Sequence, residues 1–185
     1  MDREKCQTWE RIRTQAGPEF KLFRVRFDWK RNPRNGRIMK AIVLEAPDWV
    51  NVVALTAEGK TVVVRQHRHG TGQVTTEIPA GIVEGGEDSR ETAVRELREE
   101  TGYTTDDWEY LGYVEPNPAF LNNKCHHWLA RNVARTDPVE LDDGEDISVG
   151  EMSLAELRQE MEGGRLRHSL ALVALARVFD LWERR

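Results

Sequence analysis

Cysteine is scarce in this chain: Cys6 and Cys125 are the two among 185 residues, far apart and with no CxxC pair. Neither a disulfide framework nor a zinc knuckle is suggested by that spacing, and the two read as free thiols. Long hydrophobic runs are missing as well. No apolar stretch approaches the roughly 20 residues of a membrane-spanning helix, and the opening MDREKCQTWERIR lacks the apolar segment of a secretory signal. A cytoplasmic protein with no membrane partner is the expectation. Positive charge is not in excess either, since 27 Lys and Arg face 32 Asp and Glu for a net charge of -5. General nucleic-acid binding needs a basic footprint and is not expected. Internal repeats and low-complexity linkers are also absent, which argues against a repeat array.

With 39% hydrophobic and 32% charged residues and six tryptophans, the chain can build a core. Its length suits one full-sized domain with a small element at one end. The expected organisation is a β arm over residues 1–47 and a domain over residues 48–185. In the arm, Phe23, Val25, Phe27 and Trp29 alternate with Arg24, Arg26 and Asp28, the period of a half-buried strand. The stretch KRNPRNG combines Asn-Pro and Asn-Gly turn signals, and residues 38–44 return as the second strand of an N-terminal β-hairpin. Residues 21–40 hold eight basic residues against one acid, Asp28. They form either a charged edge that discourages aggregation or a surface near an anionic ligand.

Residues 50–55 and 61–66, joined by the turn AEGK, read as a second hairpin rich in β-branched residues. Further strands are expected over residues 75–81, 108–114, 125–131 and 147–152. Helices are expected over residues 89–101, with Asp88 or Ser89 as cap and Gly102 as terminator, and over 153–161 and 168–182. The first carries a narrow apolar stripe of Ala93, Val94 and Leu97. Strands before, between and after helices, with connections too short for repeated βαβ crossovers, predict an α+β class: an α/β/α sandwich with a mixed sheet between helices.

The stretch GIVEGGEDSRETAVRELREETGY, residues 81–103, concentrates seven carboxylates and three arginines around one expected helix. Glu96 is three residues before Glu99 and four before Glu100, so all three fall on neighbouring positions of one helix surface. Like charges so placed repel by a few tenths of a kcal/mol per pair. A hard divalent cation would reverse the sign, and Arg95, four residues before Glu99, is placed to hold that carboxylate. A salt-bridged surface helix is the alternative on spacing alone. Gly81, Gly85 and Gly86 imply tight turns before the helix and Glu87 reaches toward its start, together a rigid loop-helix unit suited to a metal.

Gly81, five residues, Glu87, seven residues, then Arg95, Glu96, Leu97, any residue, Glu99, Glu100, any residue, Gly102 and a hydrophobic position resemble the Nudix box of the Nudix hydrolases. Tyr103 stands where that family more often has an aliphatic residue. The likeness runs from about Trp49 to the C-terminus. VVRQHRHGTGQVTTEIPAG before the box, NPAFLNNKCHHWLA after it and the closing helices are similar to the ADP-ribose and nucleoside diphosphate sugar pyrophosphatase branch, where an N-terminal arm commonly exchanges between two subunits.

The resemblance implies metal-dependent hydrolysis of the pyrophosphate of ADP-ribose or a related nucleoside diphosphate sugar, giving a nucleoside monophosphate and a sugar phosphate. By similarity, Glu96, Glu99, Glu100 and the Ala80 carbonyl would ligate Mg2+ or Mn2+, while Glu87 and Arg95 orient the helix. The general base in that branch is similar to a glutamate on a late mobile loop. ELDDGED offers Glu140, Asp142, Asp143, Glu145 and Asp146; Glu145 is preferred because it adjoins the strand at Ile147, then Glu140, then Glu99 inside the box. A solvated acidic loop is the alternative. Arg68 and Arg65 would grip the diphosphate bidentately, or else serve structural ion pairs. Trp49 and Trp29 would stack on a base, or else fill the core. Asn122 and Asn123 stand where such enzymes often have an acid, and as neutral amides they suit sugar hydroxyls, leaving GDP-mannose open beside ADP-ribose. His126 and His127 lack a suitably spaced third histidine and are not expected to bind metal. The arm implies a homodimer. Other readings are a nucleotide-sensing module without turnover, or a Nudix enzyme for dinucleoside polyphosphates, capped RNA or isoprenoid diphosphates.

Overall fold

The computed structural model describes residues 6–142, 144 and 146–182. The chain divides into two compact units, Met1–Pro47 with Glu115–Asn123, and Asp48–Val114 with Lys124–Arg185. The segment 115–123, which the sequence places in the larger domain, therefore falls in the smaller unit.

That smaller unit is a three-stranded antiparallel sheet of β1 (Glu10–Glu19), β2 (Arg24–Arg31) and β3 (Ile38–Glu45), in that order. The hairpin of β2 and β3 forms as the sequence predicts, and Gly36 at φ 70° supplies the left-handed turn residue. The strand β1 was not expected: ERIRTQAGPE carries little apolar alternation and is exposed along nearly its whole length. Burial in β2 also departs from the alternation. Asp28 is its buried residue, held by the Thr14 hydroxyl at 2.8 Å and by Arg26 Nε and Nη2 at 3.2 and 3.1 Å. Burial pushes the Asp28 carboxyl up, but the Thr14 and Arg26 bonds outweigh it and the net shift is downward. Basic side chains cover the aromatic rings, with Lys40 Nζ 3.9 Å from the Phe27 ring centroid and the Arg13 guanidinium 4.4 Å from that of Trp29. Segment 115–123 is tied to β3 by the Leu44 N–H, which donates to the Phe120 carbonyl at 2.7 Å.

The larger unit is built on a mixed sheet of β4 (Trp49–Thr56), β5 (Thr61–Arg68), β6 (Gln73–Glu77), β7 (Ala80–Ile82), β8 (Tyr103–Thr104), β9 (Asp107–Val114), β10 (Cys125–Arg135) and β11 (Ile147–Met152). The order is β11-β5-β4-β10-β8, with β6 on β5, β7 on β4 and β9 on β10. Only β4 and β10 run parallel among these pairings. The single strand expected over 75–81 is two strands with different partners, because Pro79 has no N–H to extend a ladder while its carbonyl still accepts from Val52 at 2.8 Å.

Alternate residues of β4 face opposite ways. Val50, Val52 and Ala54 pack with Ala93 and Leu97 of helix α1 (Ser89–Thr101), whereas Val53 packs with Leu157 of α2 (Leu154–Glu162) and with Ala171, Ala174 and Leu175 of α3 (Ser169–Ala176). This is the expected sandwich of a mixed sheet between helices. Within α1, Val94 does not join the apolar stripe; it is exposed while Ala93 and Leu97 are fully buried, since residues four apart share a face and adjacent ones differ by about 100°. Helix α3 ends at Ala176, short of the predicted 182. The Arg177 side chain turns to the Leu111 and Tyr113 carbonyls, and the chain bends to bury Leu181. Among the described residues no helix is long and apolar enough to cross a membrane.

Candidate active site

Local rules set α1 in place. Asp88 Oδ1 accepts from the Arg90 and Glu91 N–H groups at 2.8 and 2.9 Å, and the Glu91 carboxylate accepts from the Asp88 N–H at 3.1 Å, completing a capping box. Gly102 ends the helix in the left-handed region at φ 74°; a Cβ there would also collide with the Asp137 carbonyl oxygen.

Glu87 clamps the preceding loop to this helix. Its Oε1 accepts from Arg95 Nε at 3.0 Å, and its Oε2 accepts from Arg95 Nη2 at 3.1 Å and from the Thr92 hydroxyl at 2.9 Å. The Arg95 bonds hold the Glu87 carboxyl down at about 2, and the same pairing pushes the Arg95 guanidinium above its ordinary value. Arg95 also donates from Nη1 to Glu96 Oε1 at 2.9 Å and to Glu99 Oε2 at 3.2 Å. Glu99 Oε1 accepts from Arg98 at 3.1 Å. Glu100 is buried and its Oε2 accepts from the Ala80 N–H on β7 at 3.0 Å.

Strand β7 is shaped for these side chains. A Cβ added at Gly81 would fall inside the Glu96 carboxyl group, so only glycine lets that carboxylate lie against the strand. The structure thus brings together Ala80, Arg95, Glu96, Glu99 and Glu100. Their donor set, three carboxylates beside a glycine cradle, has the chemistry a hard divalent cation takes. As they stand, the carboxylates are drawn into pairs with Arg95, Arg98 and the Ala80 N–H. No three His, Cys, Asp or Glu side chains among the described residues are grouped closely enough to hold an ion.

Of the acidic-loop candidates, Glu140 is placed at this helix. Its N–H donates to the Glu99 carbonyl at 2.8 Å and its Oε2 accepts from Arg98 Nη1 at 2.8 Å. Glu145 and Asp143 lie outside the described residues.

Arg68 closes β5 and is bound bidentately to Glu77, Nε to Oε1 at 2.8 Å and Nη2 to Oε2 at 2.7 Å. Arg65 donates to the Thr76 hydroxyl at 3.3 Å and pairs with Glu160 at 3.6 Å. Both arginines thus make the structural ion pairs named as the alternative to phosphate contact. Trp49 is half-buried at the start of β4. Trp29, Asn122 and Asn123 belong to the smaller unit. Asn122 Oδ1 accepts from the Ala46 N–H at 3.3 Å. Asn123, expected to present an amide to a sugar, is instead buried, with its Nδ2 donating to the Pro47 carbonyl at 2.9 Å. His126 sits between the Tyr110 hydroxyl at 2.8 Å and Asp48 at 3.3 Å. His127 is fully buried, and neither ring nitrogen is hydrogen-bonded among the described residues.

Two residues were missed. Glu77 lies fully buried and also accepts from the Thr75 hydroxyl at 2.6 Å and from His168 Nδ1 at 2.8 Å. Burial pushes its carboxyl up, but the bonds from Arg68, His168 and Thr75 outweigh it and hold it well below the usual carboxylate range. The available signal was a lone acid in the otherwise neutral segment VTTEIPAG. His168 carries no sequence signal for this contact.

Residues 47–173 match the family model described as the NUDIX domain. The chain is 35% identical over 142 residues to the methanol dehydrogenase activator of Bacillus methanolicus, covering 76% of this chain and 77% of that one. It is 36% identical over 129 residues to an ADP-ribose pyrophosphatase of Bacillus subtilis (strain 168), covering 69% and 70%. With an ADP-ribose pyrophosphatase of Mycobacterium tuberculosis it shares 30% over 159 residues, covering 85% and 76%. A crystal structure described as that of an ADP compounds hydrolase superposes with a TM-score of 0.82 over 93% of this chain and 92% of the other; at 21% identity this likeness concerns the fold.

Proposed function

Because the chain belongs to the Nudix family and is a Nudix hydrolase, we propose that it cleaves the pyrophosphate bond of ADP-ribose or a related nucleoside diphosphate sugar, releasing a nucleoside monophosphate and a sugar phosphate. The observation that carries the reading is the loop-helix unit itself. The Glu87–Arg95 clamp fixes α1 so that Glu96 and Glu100 meet strand β7, while Glu99 is held beside them by Arg95 and Arg98. The ADP-ribose pyrophosphatases of Bacillus subtilis and Mycobacterium tuberculosis support the substrate class.

In this reading Glu96, Glu99, Glu100 and the Ala80 carbonyl would hold Mg2+ or Mn2+, which when bound neutralises phosphate charge and lowers the pKa of its water. With a cation held there, Arg95 would keep its bonds to Glu87 and so the helix orientation, while the oxygens of Glu96 and Glu99 that it now bonds would be the ones to face the ion. Arg68 keeps Glu77 on one edge and offers its Nη1 edge to a phosphate oxygen; Arg65 adds positive charge on the same strand. Trp49, in the same unit as the box, is the stacking candidate. A carboxylate of the acidic loop serves as general base, Glu145 by its position in the sequence two residues before Ile147 or Glu140 by its pairing with Arg98.

The smaller unit exposes Ile12, Phe20, Leu22, Ile38, Met39 and Ile42. A three-stranded sheet with that much apolar surface suits burial against a second copy in a twofold dimer.

The test is a panel of ADP-ribose, GDP-mannose, other nucleotide sugars and dinucleotides incubated with Mg2+, read as phosphate released by a phosphatase from the monophosphate products. Turnover confined to nucleoside diphosphate sugars is expected. No turnover of any of them, or turnover of dinucleoside polyphosphates alone, would overturn the reading.

A further inference from the structure

Glu77 has every acceptor position filled. An ionised carboxylate offers about four lone-pair sites, and four donors arrive: Arg68 Nε and the Thr75 hydroxyl on Oε1, Arg68 Nη2 and His168 Nδ1 on Oε2, all between 2.6 and 2.8 Å. They come from β5, from β6 and from the residue that precedes α3. Because an ionised carboxylate only accepts, the hydrogen of His168 sits on Nδ1 and its Nε2 is left without a donor role toward Glu77. His168 occupies the N-cap of α3 yet gives that helix no side-chain cap bond. Its imidazole serves the strand instead.

Pinning both oxygens has a mechanical consequence. The terminal torsion of a glutamate is soft and roughly two-fold, so a bidentate Arg–Glu pair held at one oxygen pivots as a unit. Thr75 holds Oε1 and His168 holds Oε2, and together they fix the carboxylate plane and with it the guanidinium plane of Arg68. The Nη1 edge of Arg68 makes no hydrogen bond among the described residues. We infer that His168 is a positioning residue for the pyrophosphate reaction: acting through Glu77, it fixes the Arg68 guanidinium with its Nη1 edge left for a phosphate oxygen. The inference rests on the use of Arg68 proposed above. It adds a requirement that the box does not contain, because α3 must be docked for the phosphate grip to be rigid.

Steady-state kinetics on ADP-ribose and GDP-mannose with saturating Mg2+ provide one arm of the test. His168→Ala should raise KM about tenfold with kcat nearly unchanged, the effect of one lost charge-assisted hydrogen bond on ground-state and transition-state binding alike. His168→Asn, which keeps a donor near the place of Nδ1, should recover most of that loss. In an Arg68→Ala background, His168→Ala should add no more than about a twofold further loss, because the two act as one unit. Additive losses, or an Asn variant as poor as Ala at an equal melting temperature, would overturn the assignment.

The other arm needs no substrate. Nitrogen-15 spectra of the histidine rings and arginine side chains should show His168 hydrogen-bearing at Nδ1 and a slowly exchanging Arg68 Nε–H that exchanges faster in His168→Ala. An Nε2–H tautomer, or an unchanged Arg68 signal, rejects the positioning role even if the enzyme cleaves nucleotide sugars. A wild type that cleaves none of the panel while the spectra behave as stated rejects the substrate reading and leaves the Arg68–Glu77–His168 linkage standing.

Discussion

Gly81→Ala separates what α1 needs to fold from what its carboxylates need to act. The added methyl would occupy the place of the Glu96 carboxyl group, so that carboxylate must swing away. The obstacle is the far end of a flexible side chain, and Gly81 does not have a positive φ, so the backbone has no reason to move. The stability terms are small and opposed. Leaving its place, Glu96 loses its 2.9 Å pair with Arg95, whose side chain is 26% exposed against 13% for Glu96; a pair of that exposure contributes up to about 1 kcal/mol. Replacing glycine by alanine lowers the entropy of the unfolded chain and returns about 0.4–1 kcal/mol. The net change stays within about 1 kcal/mol, a melting shift of no more than about 2–4 °C for a chain of this size. Turnover should respond far more. If Glu96 holds the cation, losing that ligand removes several kcal/mol of charge stabilisation, so single-turnover rates should fall by about 10²–10³. Thermal melts, Mg2+ titrations and single-turnover cleavage of ADP-ribose would be measured on Gly81→Ala, Glu96→Gln and the double variant. The double should be no worse than Glu96→Gln alone. Full activity in Gly81→Ala, or a further large loss in the double, refutes the cradle as the reason for the glycine.

The remaining expectations concern the metal, the base, the buried histidine and assembly. Glu100→Gln should weaken Mg2+ binding and cut turnover by orders of magnitude while leaving the fold intact, as judged by calorimetric titration and circular dichroism. Glu145→Gln should lower kcat with Mg2+ affinity preserved; if Glu140→Gln is the dead variant instead, the base is the residue paired with Arg98. Burial, with lesser contributions from Arg177 and His126, lowers the His127 pKa to about 4, below its ordinary ~6.5. Above pH ~6.5 both folded and unfolded imidazoles are neutral and it contributes nothing. As pH falls toward about 4 the unfolded state gains the proton first, and stability drops by about 3 kcal/mol. Urea melts across that range should show the drop, and a His127→Leu variant should lack that component. Light scattering at low micromolar concentration should give about twice the 21.3 kDa chain mass, and a monomer there would end the dimer proposal.

Features with local causes were legible in the order of the amino acids. The start and stop of α1 rest on Asp88, Glu91 and Gly102, all within a turn of the residues they cap. The neighbouring carboxylates follow from 3.6-residue periodicity alone, and Arg95 was placed on Glu99 by the four-residue spacing that the structure retains. The hairpin of β2 and β3 was written in its turn residues. Strand β1 was not legible because its polar sequence has no buried face to generate a period. The break between β6 and β7 depended on which neighbour each strand would find, and α3 was shortened by Arg177 reaching to carbonyls of β9. Two of the contacts that fix guanidinium and carboxylate geometry near the box are long-range. Arg98 meets Glu140 across 42 positions and Glu77 meets His168 across 91. No local propensity encodes those pairings; the chain must fold before either pair can meet, and for the buried Glu77 the cost of leaving a carboxylate unpaired in the interior then holds its partners in place.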